Sequence, residues 1–196
     1  MTKLDKNYWE QRYLEQQTGW DIGAVSTPIK QYIDGLTDKN AKILIPGAGN
    51  AHEFDYLLAN GFHNVTVIDI ASQPLQNLKE RHPESFHEKF IQTDFFTIEE
   101  TFDLVLEQTF FCALDPILRA NYAKKMHSIL KQNGTLAGVL FHFELTNEGP
   151  PFGGSSEEYE MLFEPYFHII KLEPCYNSIK PRAGKELFIL LKKKDI

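Results

Sequence analysis

Cysteine is nearly absent from this chain: only Cys112 and Cys175 occur among 196 residues. Thiols this few and this distant in sequence do not make a disulfide scaffold, and a reduced interior is the default setting. Long apolar runs are missing as well. No stretch approaches the roughly 20 apolar residues that a membrane span requires. No apolar signal segment opens the chain, so a soluble cytoplasmic protein is expected. Positive charge is scarce: 20 Lys and Arg stand against 27 Asp and Glu, a formal charge of −7. Apart from Lys192-Lys193-Lys194 there is no basic run. Nucleic acid is therefore excluded as a partner, because phosphate binding needs a concentrated basic face. His, Cys, Asp and Glu show no ligand spacing for a metal. No internal repeat, low-complexity tract or linker divides the chain. With 42% hydrophobic and 13% aromatic residues, a single domain over residues 1–196 is expected, large enough to bury a full core as a monomer or weak homodimer.

What is present is organised around residues 42–60. The apolar run Ile43, Leu44, Ile45 breaks at Pro46-Gly47-Ala48-Gly49, and a helical pattern in Phe54, Leu57 and Leu58 follows, which reads as strand, glycine turn, helix. Gly47 and Gly49 lack the Cβ atoms that would hold a ligand off the backbone. The free N–H groups of the helix start suit a carboxylate or phosphate. A second apolar strand over residues 65–68 ends in Asp69, about 20 residues after the turn, where an acid can accept hydrogen bonds from a ribose.

The rest of the chain alternates in the same way. Residues 6–17 predict an amphipathic N-terminal helix with Tyr8, Trp9, Tyr13 and Leu14 on one side. This helix and the segment up to residue 27 read as a lid over a ligand, or as a helix packed on the core. Thr27-Pro28 predicts a helix start, with Thr27 as cap, running to Leu36. Ser72-Gln73-Pro74 caps a helix to Arg81. Residues 86–93 predict the third strand, ending in Asp94-Phe95-Phe96, and residues 102–106 a fourth, buried on both faces, with Glu107 at its end. Residues 116–131 predict a helix whose core face is Leu118, Tyr122, Met126, Ile129 and Leu130. Asn133-Gly134 closes it before a fifth strand at 135–143. Residues 148–156 are a loop. Residues 166–175 and 186–192 predict an antiparallel hairpin at one sheet edge, turning around residues 181–184.

The fold class expected is α/β: a Rossmann-like, doubly wound sheet of about seven strands, with an antiparallel C-terminal hairpin and an N-terminal helical lid. Ligands of such sheets bind outside the carboxyl ends of the strands. The residues there are the Gly turn, Asp69, Asp94 with Phe95, and Glu107. Asp69 suits a ribose diol, and Asp94 with Phe95 gives an adenine one polar partner and one apolar wall.

The succession P-G-A-G, I-D-I, T-D-F-F and F-D-L-V-L-E-Q-T-F-F-C-A-L resembles class I S-adenosylmethionine-dependent methyltransferases. Within them it resembles the thiopurine S-methyltransferase superfamily, closest to its halide, thiocyanate and thiol methyltransferase branch. Trp9, Trp20-Asp21-Ile22-Gly23, Thr109-Phe110-Phe111-Cys112-Ala113 and Gly149-Pro150-Pro151-Phe152 match that branch further. The resemblance puts Gly47 and Gly49 against the methionine part of the cofactor, Asp69 with Ile70 at the ribose, Asp94 and Phe95 at the adenine, and Glu107 at the end of the fourth strand beside them. Trp9, Tyr13 and Trp20 would enclose the cofactor, and Phe110, Phe111 and Phe152 would wall an acceptor pocket. Tyr13 stands where the branch often has Trp, and Ala51 where methyltransferases often have Gly.

The activity this implies is methyl transfer to a small-molecule sulfur acceptor (thiol, thiopurine or thiocyanate) or a halide, leaving S-adenosylhomocysteine. Such nucleophiles carry their reactive lone pair already, so no catalytic acid or base is expected. His52, His142 and Cys112 read as ordinary side chains. Gly149 occupies the polar position of the Asn/Asp-Pro-Pro-aromatic motif of amino-methylating enzymes, which disfavours N-methylation. Two other readings stay open: a nicotinamide-dependent oxidoreductase, which shares the turn and ribose acid but not this chain's glycine count, and a non-catalytic S-adenosylmethionine-binding protein.

Overall fold

The computed structural model describes residues 3–83 and 89–196. Seven strands form one sheet: β1 Ile43–Pro46, β2 Val65–Asp69, β3 Phe90–Gln92, β4 Phe102–Gln108, β5 Leu130–Phe141, β6 Phe167–Pro174 and β7 Glu186–Lys193, in the order β3-β2-β1-β4-β5-β7-β6. The first five run parallel, with Ile43 beside both Val65 and Leu104. β7 returns antiparallel between β5 and β6. The α/β sheet with its C-terminal hairpin is therefore the one expected. The hairpin folds so that its second strand joins the sheet and its first becomes the edge.

Strand alternation divides the interior into two layers. Ile43, Ile45, Leu104 and Leu106 face one layer, with Phe54 and Leu57 of helix α3 (His52–Ala59), Ile29 and Ile33 of α2 (Thr27–Asp34), and Leu75 and Leu78 of α4 (Gln73–Arg81). Leu44, Val105, Leu136 and Leu140 face the other, against Tyr122, Met126 and Ile129 of α5 (Arg119–Ile129) and Tyr159 and Phe163 of α6 (Ser156–Phe163). Both faces are covered, which is why every position of β1 and β2 is buried rather than alternately exposed. The chain winds outward from β1 to β3 on one side and from β4 on the other, so the strand order reverses between β1 and β4. A crevice opens there at the carboxyl ends.

Several elements differ from expectation. The first helix, α1, ends at Leu14 (Lys6–Leu14), and no residue of it is fully buried. Leu14 is 63% exposed rather than packed. Gln16 turns the chain away through a left-handed φ of 56°. Ser26, not Thr27, is the residue flanking α2, and its hydroxyl donates to the Gln108 side chain (2.6 Å) instead of capping the helix. Among the described residues the third strand covers Phe90–Gln92; residues 86–88 of the expected span lie outside the described residues. α5 stops at Ile129, and β5 takes in Asn133-Gly134 as an irregularity, with Asn133 at φ 64° and a register shift opposite Phe102 and Leu104. β5 ends at Phe141, and Phe143 pairs with Gly154 as an isolated bridge. α6 was not foreseen, although Ser155 accepts the Glu158 N–H (3.2 Å) as an S-x-x-E start would have it.

Candidate active site

The crevice is a cavity of about 690 Å³. The Gly turn forms one wall. Gly47 has a left-handed φ of 74°, donates to Ile68 O (2.9 Å), and lets the Phe110 ring close on the turn, since a Cβ would stand 2.8 Å from Cδ2 of Phe110. Gly49 faces Trp20, whose Nε1 lies 3.7 Å from where a Cβ would be. Ala51 takes the left-handed conformation (φ 51°) just before α3, where a glycine would be unstrained.

Asp69 closes the second strand end. It is 8% exposed; Oδ2 accepts from Ala48 N–H and Oδ1 from Ala71 N–H, both at 2.8 Å. Burial pushes its carboxyl up to about 6 against the pull of these N–H groups. Asp94 accepts from Phe96 N–H (2.9 Å) at the turn after β3, and Phe95 packs edge-on to Phe110 with centroids 5.2 Å apart. Asp69, Ile70, Asp94 and Phe95 all line the cavity.

The N-terminal segment covers this wall. Trp9 and Tyr13 meet Trp20 edge to face, at 5.8 and 5.6 Å, and all three line the cavity. The Tyr13 hydroxyl faces the Gly49 N–H, and burial raises its phenol. Glu10 accepts from Ser72 N–H (2.7 Å) and Oγ (2.8 Å), fixing α1 to the start of α4. Asp21 reaches the Gly turn, bonding Asn50 Nδ2, His52 Nε2 (2.8 Å) and Gly23 N–H (2.8 Å). Burial opposes its charge, but the hydrogen bonds from Gly23, His52 and Asn50 hold it below the usual range.

Three expected site residues lie outside the cavity wall. Glu107 is fully buried under it: Oε1 accepts from Phe110 N–H (2.8 Å) and Phe111 N–H (2.9 Å), and Oε2 from the Tyr122 hydroxyl (2.6 Å). Burial pushes that carboxyl up to about 7. Phe111 belongs to the core beside Tyr122 and Tyr159, and Phe152 is buried with its N–H on Cys112 O (2.8 Å). Phe110 does line the cavity, joined by Phe141, Phe143, Pro150, Pro151 and Cys112. The Cys112 thiol is raised by burial, and His142 is exposed. Arginines that carried no sequence signal hold the walls. Arg182 donates to Trp20 O (2.7 Å) and approaches Glu186 (3.5 Å), and Arg119 donates to Gly153 O (2.7 Å) and pairs with Glu158. Among the described residues no cluster of His, Cys, Asp and Glu could hold a metal.

The topology is the Rossmann-like fold of S-adenosylmethionine-dependent methyltransferases, and the cavity sits where that fold binds its ligands. A Burkholderia thailandensis 1,6-didemethyltoxoflavin-N1-methyltransferase, solved with S-adenosylhomocysteine, shares the fold at a TM-score of 0.76 and 19% identity, covering 97% of this chain and 87% of its own. The chain belongs to the thiopurine S-methyltransferase (TPMT) family, whose model matches residues 4–190. It is 29% identical over 192 residues to "Probable thiol methyltransferase 2" of Arabidopsis thaliana, covering 95% of this chain and 84% of that one. It is also 29% identical over 189 residues to "Thiocyanate methyltransferase 1" of Brassica oleracea, covering 93% and 83%. Membership in this family sets aside the nicotinamide-dependent reading. No described helix is long and apolar enough to cross a membrane.

Proposed function

We propose that this methyltransferase acts on a small-molecule sulfur nucleophile, a thiol, thiopurine or thiocyanate, or on a halide. The observation that carries the proposal is the lining of the cavity: Phe110, Phe141, Phe143, Pro150 and Pro151 share it with the Gly turn and Asp69. An apolar, polarisable wall suits a soft nucleophile and excludes water from it. The names of the thiol and thiocyanate methyltransferases point the same way.

The residues fit the cofactor. The Gly turn lines the cavity where its methionine part would lie, and without Cβ atoms Gly47 and Gly49 hold left-handed backbone and let Phe110 and Trp20 close on the turn. The Asp69 carboxylate keeps lone pairs for a ribose diol beyond the N–H groups it already holds. Ile70 stands beside the ribose position, and Asp94 and Phe95 flank the adenine. S-adenosylmethionine, when bound, supplies an activated methyl group. The chain's part is to align acceptor and methyl in line and to shield them, with Trp9, Tyr13 and Trp20 as cover. Residues 1–27 are thus a lid on a single methyltransferase domain, and Glu107 acts beneath the wall by fixing Phe110. The same reading includes a monomer or weak homodimer in the cytoplasm, with Cys112 and Cys175 as free thiols and no nucleic-acid partner. A product-detected screen over thiols, thiopurines, sulfide, thiocyanate, iodide and amines tests it. Methylated sulfur or halide products are expected; transfer to amines alone overturns the proposal.

A further inference from the structure

One carboxylate in the cavity wall has no counter-charge. Glu53 stands in the first turn of α3, directly after the Gly turn, and is only 9% exposed, yet it lines the cavity. Among the described residues no side chain donates a hydrogen bond to it, and the nearby cations are committed elsewhere. His52 is bonded to Asp21 at 2.8 Å, and Arg182 to Trp20 O at 2.7 Å and Glu186 at 3.5 Å. The polar atoms sealed in the interior without a partner are Nε of Arg12 and Arg119, Oγ1 of Thr66, Nε2 of Gln108 and Oγ of Ser178. The Glu53 carboxyl is not among them: its own backbone N–H faces it, and the residue lines the cavity. Burial raises the carboxyl above its usual range, with that N–H, His52 and Arg182 offsetting part of the effect.

Helix-start electrostatics does not account for this placement. An acid in the first turn is favourable, but only modestly and at exposed positions too, which does not require burial. Asp55 in the same turn shows the ordinary arrangement, facing outward to Arg81 (3.2 Å) and His82 (2.8 Å). A carboxylate taken out of water without a cation or several donors is strongly unfavourable. The missing cation therefore has to arrive with a ligand.

We propose that Glu53 accepts the α-ammonium of the cofactor's methionine part. The inference rests on S-adenosylmethionine binding at the Gly turn. The cofactor has cationic character at its sulfonium and at its ammonium, and of these the ammonium alone carries N–H donors. The free N–H groups at the start of α3 serve the neighbouring carboxylate of the same methionine part. The turn and Glu53 together then present complementary charge to both ends of a zwitterion.

Calorimetry on the full chain tests this with two probes: S-adenosylhomocysteine, and its analogue with hydrogen in place of the α-amino group. The wild type should prefer the first by about 10- to 100-fold, the worth of a charge-assisted hydrogen bond. Glu53→Gln should lose most of that preference while binding the desamino analogue within about twofold of the wild type. Equal loss for both probes in a variant that melts like the wild type, or an unchanged preference, overturns the proposal. If Glu53→Gln does not fold, the wild-type comparison still decides, since equal affinity for the two probes removes the ammonium contact. A wild type that binds neither probe overturns the cofactor reading itself, and this proposal with it.

Discussion

Asp69 joins two segments through one carboxylate, taking an N–H from the Gly turn and another from the residues that lead into α4. Asp69→Ala should weaken S-adenosylhomocysteine binding by about 1–3 kcal/mol, measured by calorimetry, since it leaves ribose hydroxyls without their acceptor. Its titration gives a second test. With the carboxyl pushed up to about 6, cofactor affinity should fall as pH drops from 7 to 5, and Asp69→Asn should remove that part of the dependence. Stability runs the other way: a folded value above the ordinary 3.8 means the contribution of Asp69 is fullest below that value and is lost as pH rises through about 6. Gly47→Val should abolish binding, because φ 74° is strained for a β-branched residue and the Cβ position lies 2.8 Å from the Phe110 ring. Glu107 belongs beneath the site. Glu107→Ala strands the Tyr122 hydroxyl and the Phe110 and Phe111 N–H groups, and should cost about 3 kcal/mol or more in urea unfolding.

At the scale of elements, the lid is tied to the sheet from several sides: α1 to α4 through Glu10, the Gly turn through Asp21, and the C-terminal hairpin through Arg182. Arg182→Ala removes the partner of the Trp20 carbonyl. It should speed amide exchange across residues 8–23, read by hydrogen-exchange mass spectrometry, more than across β4 or β5. The difference between these elements also explains what the sequence could disclose. The Gly turn, Asp69 and Asp94 are legible because each sits at a strand end beside its own turn, where local spacing fixes the position. Arg182 is not, because its partner Trp20 is 162 residues away and no local pattern encodes that contact. Glu107 was placed correctly at a strand end, but strand position does not say which layer the side chain enters. Here the following turn folds back over it and uses its oxygens. Phe152 misled for a related reason: the motif marked the loop, and the prolines of that loop, not its aromatic ring, reach the cavity.

The molecule as a whole divides into a sheet core that draws no fully buried residue from α1 and a cavity lined by several residues of the N-terminal segment. Both core layers take their fully buried residues from Ile29 onward, with Val25 packed against one of them, and no residue of α1 is fully buried. The cavity, by contrast, draws Leu4, Trp9, Arg12, Tyr13, Trp20 and Asp21 from the N-terminal segment. Deleting residues 1–27 should therefore leave a cooperative melt and an unchanged sheet signature in circular dichroism, with S-adenosylhomocysteine affinity reduced by at least about tenfold. That reduction is what losing aromatic contacts to a sulfur-centred ligand implies, at about 0.5–2 kcal/mol each. Deletion alone does not distinguish a lid that closes on the cofactor from a fixed wall. Hydrogen exchange on the full chain does: a lid that closes gains protection over residues 8–23 when S-adenosylhomocysteine is added, while a fixed wall shows the same protection with and without it. The polar links at Glu10, Asp21 and Arg182 are exposed or only partly buried, so each contributes modestly and their opening is within thermal reach. Protection gained on ligand addition is accordingly the expected result. An unchanged exchange pattern would make the segment a fixed wall.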